Sequence, residues 1–470
     1  MRRLLVLGIA LLSMAAISTT LAQTPAGPDW KALEDETMRH FQALLKFDTS
    51  RTEKSAADYL AHVLEAEGIP VELVSVDANR PNVIARLKGS GAKRPLLIMA
   101  HTDVVSVDPK KWTHLPFGAE RDGGHVYGRG TVDDKDNVVA ALMVMLTLKR
   151  QNVALDRDVI FLAEAGEEGA TRFGIQPVVN EHFAKVDAEY CLAEGGGVTR
   201  TGGKVKFASV QTLEKIPRGV ELTARGPAGH GSVPLRNNAV VRLAGAVARV
   251  AAWAPPVRLN DTTRAYFKRL ASISTAEDAR RYLDVLSADQ KRVEAADEHF
   301  LGNEPRHASM LRTSVSPNII QGGYQVNVIP SEAKATLDVR MHPDDDHVAF
   351  LEELKKVIND PAIEAAWAQR DVRPASGSAN LNSDGFKAVE AAVTKHYQAV
   401  TLPSMATGAT DMAYLRAKGI QCYGIGPATD SEDGPKGFGA HSDQERILEA
   451  ELHRFVRFHY DIVDSLARKR

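Results

Sequence analysis

Five short segments carry residue types suited to metal binding or acid–base chemistry. His101 and Asp103 follow the apolar run Pro95 to Ala100. A histidine can hold a metal through one ring nitrogen and give its other N–H to a carboxylate, which fixes the tautomer. Asp133, Asp134 and Lys135 follow Gly128 and Gly130 at the start of a helical pattern, where carboxylates can also serve as plain caps. Glu167 and Glu168 leave a second apolar run. Neighbouring residues leaving a strand point different ways, so one can bind a metal while the other faces a substrate. Glu194 opens a Gly-rich turn, and His441 precedes a C-terminal helix. Each segment alone reads as a turn or cap. Together they form a mixed His/carboxylate set that suits zinc, and a shared carboxylate lets two ions sit about 3.5–4 Å apart.

The elements that must position these residues follow from periodicity. Helices are expected over Asp35 to Phe47, Ser55 to Glu67 and within Val132 to Arg150. Strands are expected over Val71 to Val76, Asn82 to Leu87, Leu96 to Ala100, Asp158 to Ala165 and Glu189 to Leu192. Strands alternating with helices imply an α/β fold, a mainly parallel mixed sheet with helices on both faces. In such a sheet ligands bind beyond the carboxyl ends of the strands, where His101 and Asp103 fall. The pattern changes near Glu214. Strand Gly219 to Ala224, helix Pro234 to Trp253, strands Ser314 to Ile320 and Lys334 to Arg340, helix His347 to Ile358 and strand Ile363 to Arg370 suggest a separate α+β domain. Asp261 to His299 reads as one or two charged helices, with turns at Gly322-Gly323 and Ile329-Pro330. Helix Phe386 to Tyr397, a helix after Asp411, strand Gln421 to Gly424 and a helix from Asp443 then resume the first domain. The expected division is a catalytic domain over 31–213 and 375–470, with residues 214–374 inserted.

The 470 residues carry a formal net charge of −2, which gives no support for nucleic-acid binding. Arg2 and Arg3, the apolar run Leu4 to Ile17 and a small residue at Ala22 read as a cleaved signal peptide over 1–22. The expected location is therefore secreted or periplasmic, with no stable membrane insertion after cleavage. Cys191 and Cys422 are too few for a disulfide scaffold. One bridge or two buried thiols both remain open.

His101-Thr-Asp103, Asp133-Asp134-Lys135, Glu167-Glu168, Glu194 and His441, in this order, resemble the dizinc metallopeptidases of clan MH. These include aminoacylase, carboxypeptidase S, carnosinase, glutamate carboxypeptidase and succinyl-diaminopimelate desuccinylase. Gly128-Arg129-Gly130-Thr131, Glu194-Gly195-Gly196 and Gly229-His230-Gly231-Ser232 are most similar to the carboxypeptidase S and secreted N-acyl amino acid hydrolase branch. Asp136 departs from the small residue many relatives carry after the Lys. The resemblance implies two Zn2+ per subunit, with Co2+ or Mn2+ as substitutes. His101 and Glu194 would hold one ion, Glu168 and His441 the other, and Asp133 would bridge them. Asp103 would orient His101, Glu167 would be the general base, and the Asp133-Asp134 bond would be cis. His230 would stabilise the oxyanion from the inserted domain, a ferredoxin-like lid that also dimerises in relatives. Arg340 and Asn318 would grip a substrate carboxylate, and Thr410 lies in a loop resembling one beside the substrate. The expected substrate is a small peptide or N-acyl amino acid, cut at an amide next to a free carboxylate.

Overall fold

Leu96–His101 and Val159–Glu164 are buried along their whole length and lie side by side in parallel. The computed structural model in which they sit describes residues 27–369 and 372–470. The expected signal peptide lies outside the described residues. Alternate side chains of these strands enter two different cores. Leu96, Ile98 and Ala100 join one core, and Leu97 and Met99 the other. Burial on both faces explains why the strands read as unbroken apolar runs and not as alternation. Each large side chain so buried contributes about 1.5–3 kcal/mol.

Among the described residues the main sheet has ten strands. Its order is Val71–Val74, Asn82–Leu87, Val159–Glu164, Leu96–His101, Tyr190–Ala193, Gln421–Gly424, Lys204–Glu214, Gly197–Thr201 and Ala428–Asp430, with Thr401–Ala406 also paired to Lys204–Glu214. The centre is parallel, while Val71–Val74 and Asn82–Leu87 form an antiparallel edge. Lys135–Arg150 packs between this sheet and the helices Trp30–Leu45 and Glu449–Ala467. That helix is buried nearly all round, more than the single stripe expected, because residues 138–148 are apolar except for Thr147, and Lys135, Asp136 and Asn137 are buried with them. Cys191 and Cys422 stand opposite each other in neighbouring parallel strands as buried free thiols.

Residues 216–225, 239–252, 314–322, 332–341, 347–358 and 363–367 form the inserted β-α-β-β-α-β unit. Its four strands run in the order 314–322, 332–341, 216–225, 363–367, which is the ferredoxin-like arrangement. Where one or two helices are expected over Asp261 to His299, three occur, Asp261–Ala271, Ala276–Asp284 and Gln290–Asn303, and a fourth, Pro305–Met310, follows. Tyr266, Phe267, Tyr282 and Phe300 from these helices pack with Leu213, Leu402 and Met405 of the main sheet, apart from the lid core. Gly322 belongs to a strand, and Val328–Ile329 pairs with Gly229–His230 where a turn is expected. The last helix starts at Glu449, after a short strand Arg446–Leu448.

One residue, Lys215, separates the main-sheet strand Lys204–Glu214 from the lid strand Ile216–Arg225. Its ammonium donates to Ser309 O at 2.9 Å, Ser309 Oγ at 3.1 Å and Ser314 Oγ at 2.8 Å. Burial pushes its pKa down to about 7. The crossing point is thus pinned by a buried lysine whose three donors are all used. Among the described residues no helix is long and apolar enough to cross a membrane.

Candidate active site

The residues singled out for chemistry converge at the carboxyl ends of the central strands. His101 ends one strand, Glu194 follows the next, and Glu167 and Glu168 sit in the turn after Val159–Glu164. Gly166 makes that turn possible: its φ is +72°, and a Cβ there would meet Ala170 O at 2.5 Å. Asp133 lies just before helix Lys135–Arg150, and the Asp133-Asp134 peptide bond is cis. His441 arrives on a loop with φ +60°, left-handed backbone that is uncommon for a non-glycine residue.

Two trios result. One ligand atom each from His101, Asp133 and Glu194 lies within 4.8 Å of the others, and the same holds for Asp133, Glu168 and His441. Asp133 belongs to both. His101 Nε2 donates to Asp133 Oδ1 at 3.0 Å, and His441 Nε2 lies 3.0 Å from Asp133 Oδ2 and 2.7 Å from Glu168 Oε1. The electrostatics follow. Hydrogen bonds to Asp133 and Glu168 push the His441 pKa up to about 10. Burial disfavours charge on Asp133, but bonds from His101 and His441 hold it well below the carboxylate range. Burial and the neighbouring Glu167 push Glu194 well above that range. A crowd of buried carboxyls around two imidazoles is a donor set that a divalent cation would neutralise, and nitrogen with carboxylate oxygen matches zinc and its neighbours.

Asp103 does more than orient His101. The nearest acceptor for His101 Nδ1 is the Asp103 backbone carbonyl at 3.0 Å, and the carboxylate lies at 3.4 Å. That carboxylate accepts the backbone N–H groups of Glu167 at 3.1 Å and Glu168 at 3.0 Å. One aspartate therefore positions the histidine and both glutamates. Burial opposes its charge, but His101 and the two amides hold its pKa below the usual value. Asp134 accepts from His101 N at 3.1 Å and Asn137 Nδ2 at 2.6 Å, so it braces the strand end. Glu167 is 7% exposed, and burial pushes its carboxyl well above the carboxylate range although Arg373 opposes this.

The lid residues are elsewhere. His230 is exposed, and its Nδ1 accepts from Ser232 N at 3.1 Å. Arg340 donates to Asp338 Oδ2 at 3.0 Å, and Asn318 accepts from Ser316 Oγ at 2.7 Å. None of the three is bonded to the trios. Thr410 is buried and spends its hydroxyl on Glu214 Oε2 at 2.8 Å.

Two residues at the site escape sequence reading. Glu445 accepts from Gly130 N, Val132 N and Arg129 Nη1, at 3.1, 2.8 and 2.7 Å, and so shapes the turn before Asp133. Arg373 donates to Glu167 Oε1 at 2.5 Å. Neither sits in a periodic or Gly-rich stretch with a local signature. Arg129 in Gly128-Arg129-Gly130, a cation expected to need a carboxylate, is the one hint toward Glu445.

A parallel-centred α/β sheet, a ferredoxin-like insertion and a shared-carboxylate ligand set together define a metallohydrolase. Residues 97–465 match Peptidase family M20/M25/M40, and the chain belongs to that family. It is therefore a metallopeptidase or amidohydrolase. It is 26% identical over 382 residues to a probable carboxypeptidase S-like 2 of Dictyostelium discoideum, covering 79% of this chain and 72% of that one. It is 26% identical over 385 residues to the N-fatty-acyl-amino acid synthase/hydrolase PM20D1 of Homo sapiens, covering 79% and 74%. The fold is similar to the M20 family metallo-carboxypeptidase Sso-CP2 of Sulfolobus solfataricus, with TM-score 0.68, 22% identity and coverage of 92% and 99%. It is also similar to the Bacillus subtilis YXEP protein, a dinuclear metal-binding M20 peptidase, with TM-score 0.57, 15% identity and coverage of 93% and 99%.

Proposed function

We propose that this enzyme hydrolyses an amide next to a free carboxylate, as an exo-acting carboxypeptidase or dipeptidase that uses two zinc ions. His101, Asp133 and Glu194 would hold one ion, and Asp133, Glu168 and His441 the other. The observation that carries this reading is the pair of trios sharing Asp133 with Glu167 beside them. Zinc in such a site supplies a Lewis acid for the amide carbonyl and acidifies water. Glu167 would accept a proton from the attacking water at its carboxylate and return it to the leaving amine. His230 donates to the developing oxyanion, and Arg340 and Asn318 take the substrate carboxylate, a contact suited to a planar guanidinium. Thr410 supports the substrate loop through Glu214.

These lid groups must come to the trios by domain closure or from a second copy of the chain. The second route has support in the lid itself. Ser314–Gly322 is an end strand of its sheet, and Ile319, Ile320, Tyr324 and Val326 are exposed on it and just beyond it. An open strand edge with an apolar surface favours pairing, so a homodimer through this face is part of the proposal. Cleavage after Ala22 and export complete it.

A second reading, an N-acyl amino acid hydrolase with little peptidase activity, is favoured by the similarity to the N-fatty-acyl-amino acid synthase/hydrolases. The test is a panel of dipeptides beside N-acyl amino acids, on zinc-loaded protein. Faster dipeptide turnover supports the first reading, and turnover of N-acyl amino acids alone supports the second. Chelation should abolish activity, and zinc or cobalt should restore it. Activity that survives complete metal removal overturns both.

A further inference from the structure

Glu167 is gripped by a residue from a distant part of the chain. Arg373 Nη2 donates to Glu167 Oε1 at 2.5 Å and to Glu167 O at 3.0 Å. Its Nη1 donates to Ala409 O at 3.0 Å, and its Nε to Asp411 Oδ1 at 3.2 Å. A guanidinium has five N–H groups, and four are committed here to protein acceptors. The side chain is only 16% exposed. It is thus poorly placed to receive a substrate carboxylate. It is well placed to fix a protein one, because it holds the side chain and the main chain of Glu167 together.

The alternative is that Arg373 merely neutralises buried acids. Asp411 is fully buried against it, so part of its work is of that kind. Neutralisation alone, however, would not require bonds to the uncharged carbonyls of Ala409 and Glu167. Those bonds fix the plane of the guanidinium and hence where Glu167 Oε1 can sit. A second observation concerns where Arg373 is carried. Ala368 N donates to Gly219 O of the lid sheet at 2.8 Å, and Ala379 N donates to Thr212 O of the main sheet at 2.9 Å. Arg373 lies between these two anchored residues in the sequence.

We propose that Arg373 is the positioning residue for the Glu167 carboxylate. The inference rests on Glu167 being the general base. Misplacing a reacting group by about 1 Å can cost about 10²-fold in rate. Arg373→Met should therefore lower kcat by about that factor, with KM little changed, because the arginine does not touch substrate. Metal content and the visible spectrum of the cobalt-loaded enzyme should stay as in the wild type, because the trios are intact. Arg373→Lys keeps the charge and loses the planar grip, so its kcat should fall between the two.

The experiment measures kcat, KM and the cobalt spectrum for Arg373→Met, Arg373→Lys, Glu167→Gln and the Glu167→Gln/Arg373→Met double variant, with the substrate turned over best in the panel. Support is a kcat loss in Arg373→Met that shrinks to within about twofold when Gln already stands at 167, since residues acting as a unit do not add. Equal losses in the two backgrounds would assign Arg373 to the fold and overturn the proposal. So would wild-type kcat in Arg373→Lys, which decides the matter if the Met variant does not fold. Normal turnover in Glu167→Gln would instead remove Glu167 as the base and take this inference with it. A damaged Glu167→Gln beside a normal Arg373→Met would leave the base standing and overturn Arg373 alone.

Discussion

The end of the main sheet and the lid are built to different tolerances. At the sheet end His101, Asp103, Glu167 and Asp134 are buried; the first, second and fourth side chains are each held by a backbone group, and the Glu167 carboxyl is held by Arg373. On the lid, His230 and Asn318 are exposed and bonded to serines two residues away, and Arg340 pairs with Asp338 on its own strand. The first region has its geometry before substrate arrives. The second has groups held only by bonds to residues two positions away. Activation of water needs fixed distances, whereas substrate capture and release need motion, and the two regions divide along that line.

The comparison can be broken from its strong side first. Glu167→Gln should lose about 10²–10⁴-fold in turnover while keeping its metal, as checked by steady-state kinetics and metal analysis. Retained turnover would mean that the ordered region does not hold the base. His230→Ala should lose about 10²–10³-fold in kcat, with unchanged metal content and unchanged thermal unfolding. A variant with wild-type kcat would leave the lid histidine without a part in the reaction. Asp103→Ala should weaken metal affinity or rate by about 10–100-fold. Because its carboxylate also holds the amides of Glu167 and Glu168, the loss should extend to the His441 site, which metal titration of the two positions would reveal.

The smallest effect concerns stability. Both ring nitrogens of the fully buried His459 lack hydrogen-bond partners among the described residues, and burial pushes its pKa down to about 3. The unfolded histidine, near pH 6.5, binds a proton that the folded one refuses, so folding stability rises with pH across that interval. Acidification from pH 6.5 toward 3 should therefore destabilise the protein by up to about 1.4 kcal/mol per pH unit from this group. Urea midpoints at pH 7 and pH 5 should lie closer together in His459→Phe than in the wild type. No change in their spacing would show that the sheet half does not set acid stability.

What could be read from sequence has a physical pattern. His347–Ile358 and Gln421–Gly424 fall where expected because periodicity and flanking turns are local signals. Thr401–Ala406 was illegible because Pro403 argues against a strand. It is tolerated because this strand pairs with Lys204–Glu214 alone. Lys204–Glu214 carries no clear local signal either, since its partners Thr401–Ala406 and Gln421–Gly424 lie far along the chain. At the site, the motif residues announce themselves as His or carboxylate beside glycine at a strand end. Arg373 and Glu445 do not, because Arg373 meets Glu167 206 positions away and Glu445 meets Val132 313 positions away. Apposition of that kind leaves no mark in any short window.

The same long reach governs how the molecule can assemble. His441 closes its trio with Glu168 from 273 positions downstream, and the strand Gln421–Gly424 enters the middle of the sheet beside Tyr190–Ala193. Closing such loops costs entropy before any contact offsets it, so folding of the catalytic half should be slow relative to its size. Until Gln421–Gly424 has left the ribosome, Tyr190–Ala193 lacks that neighbour and presents an open edge. The pair of His/carboxylate trios is therefore a late product of folding, and its completion reports that the whole catalytic half has formed.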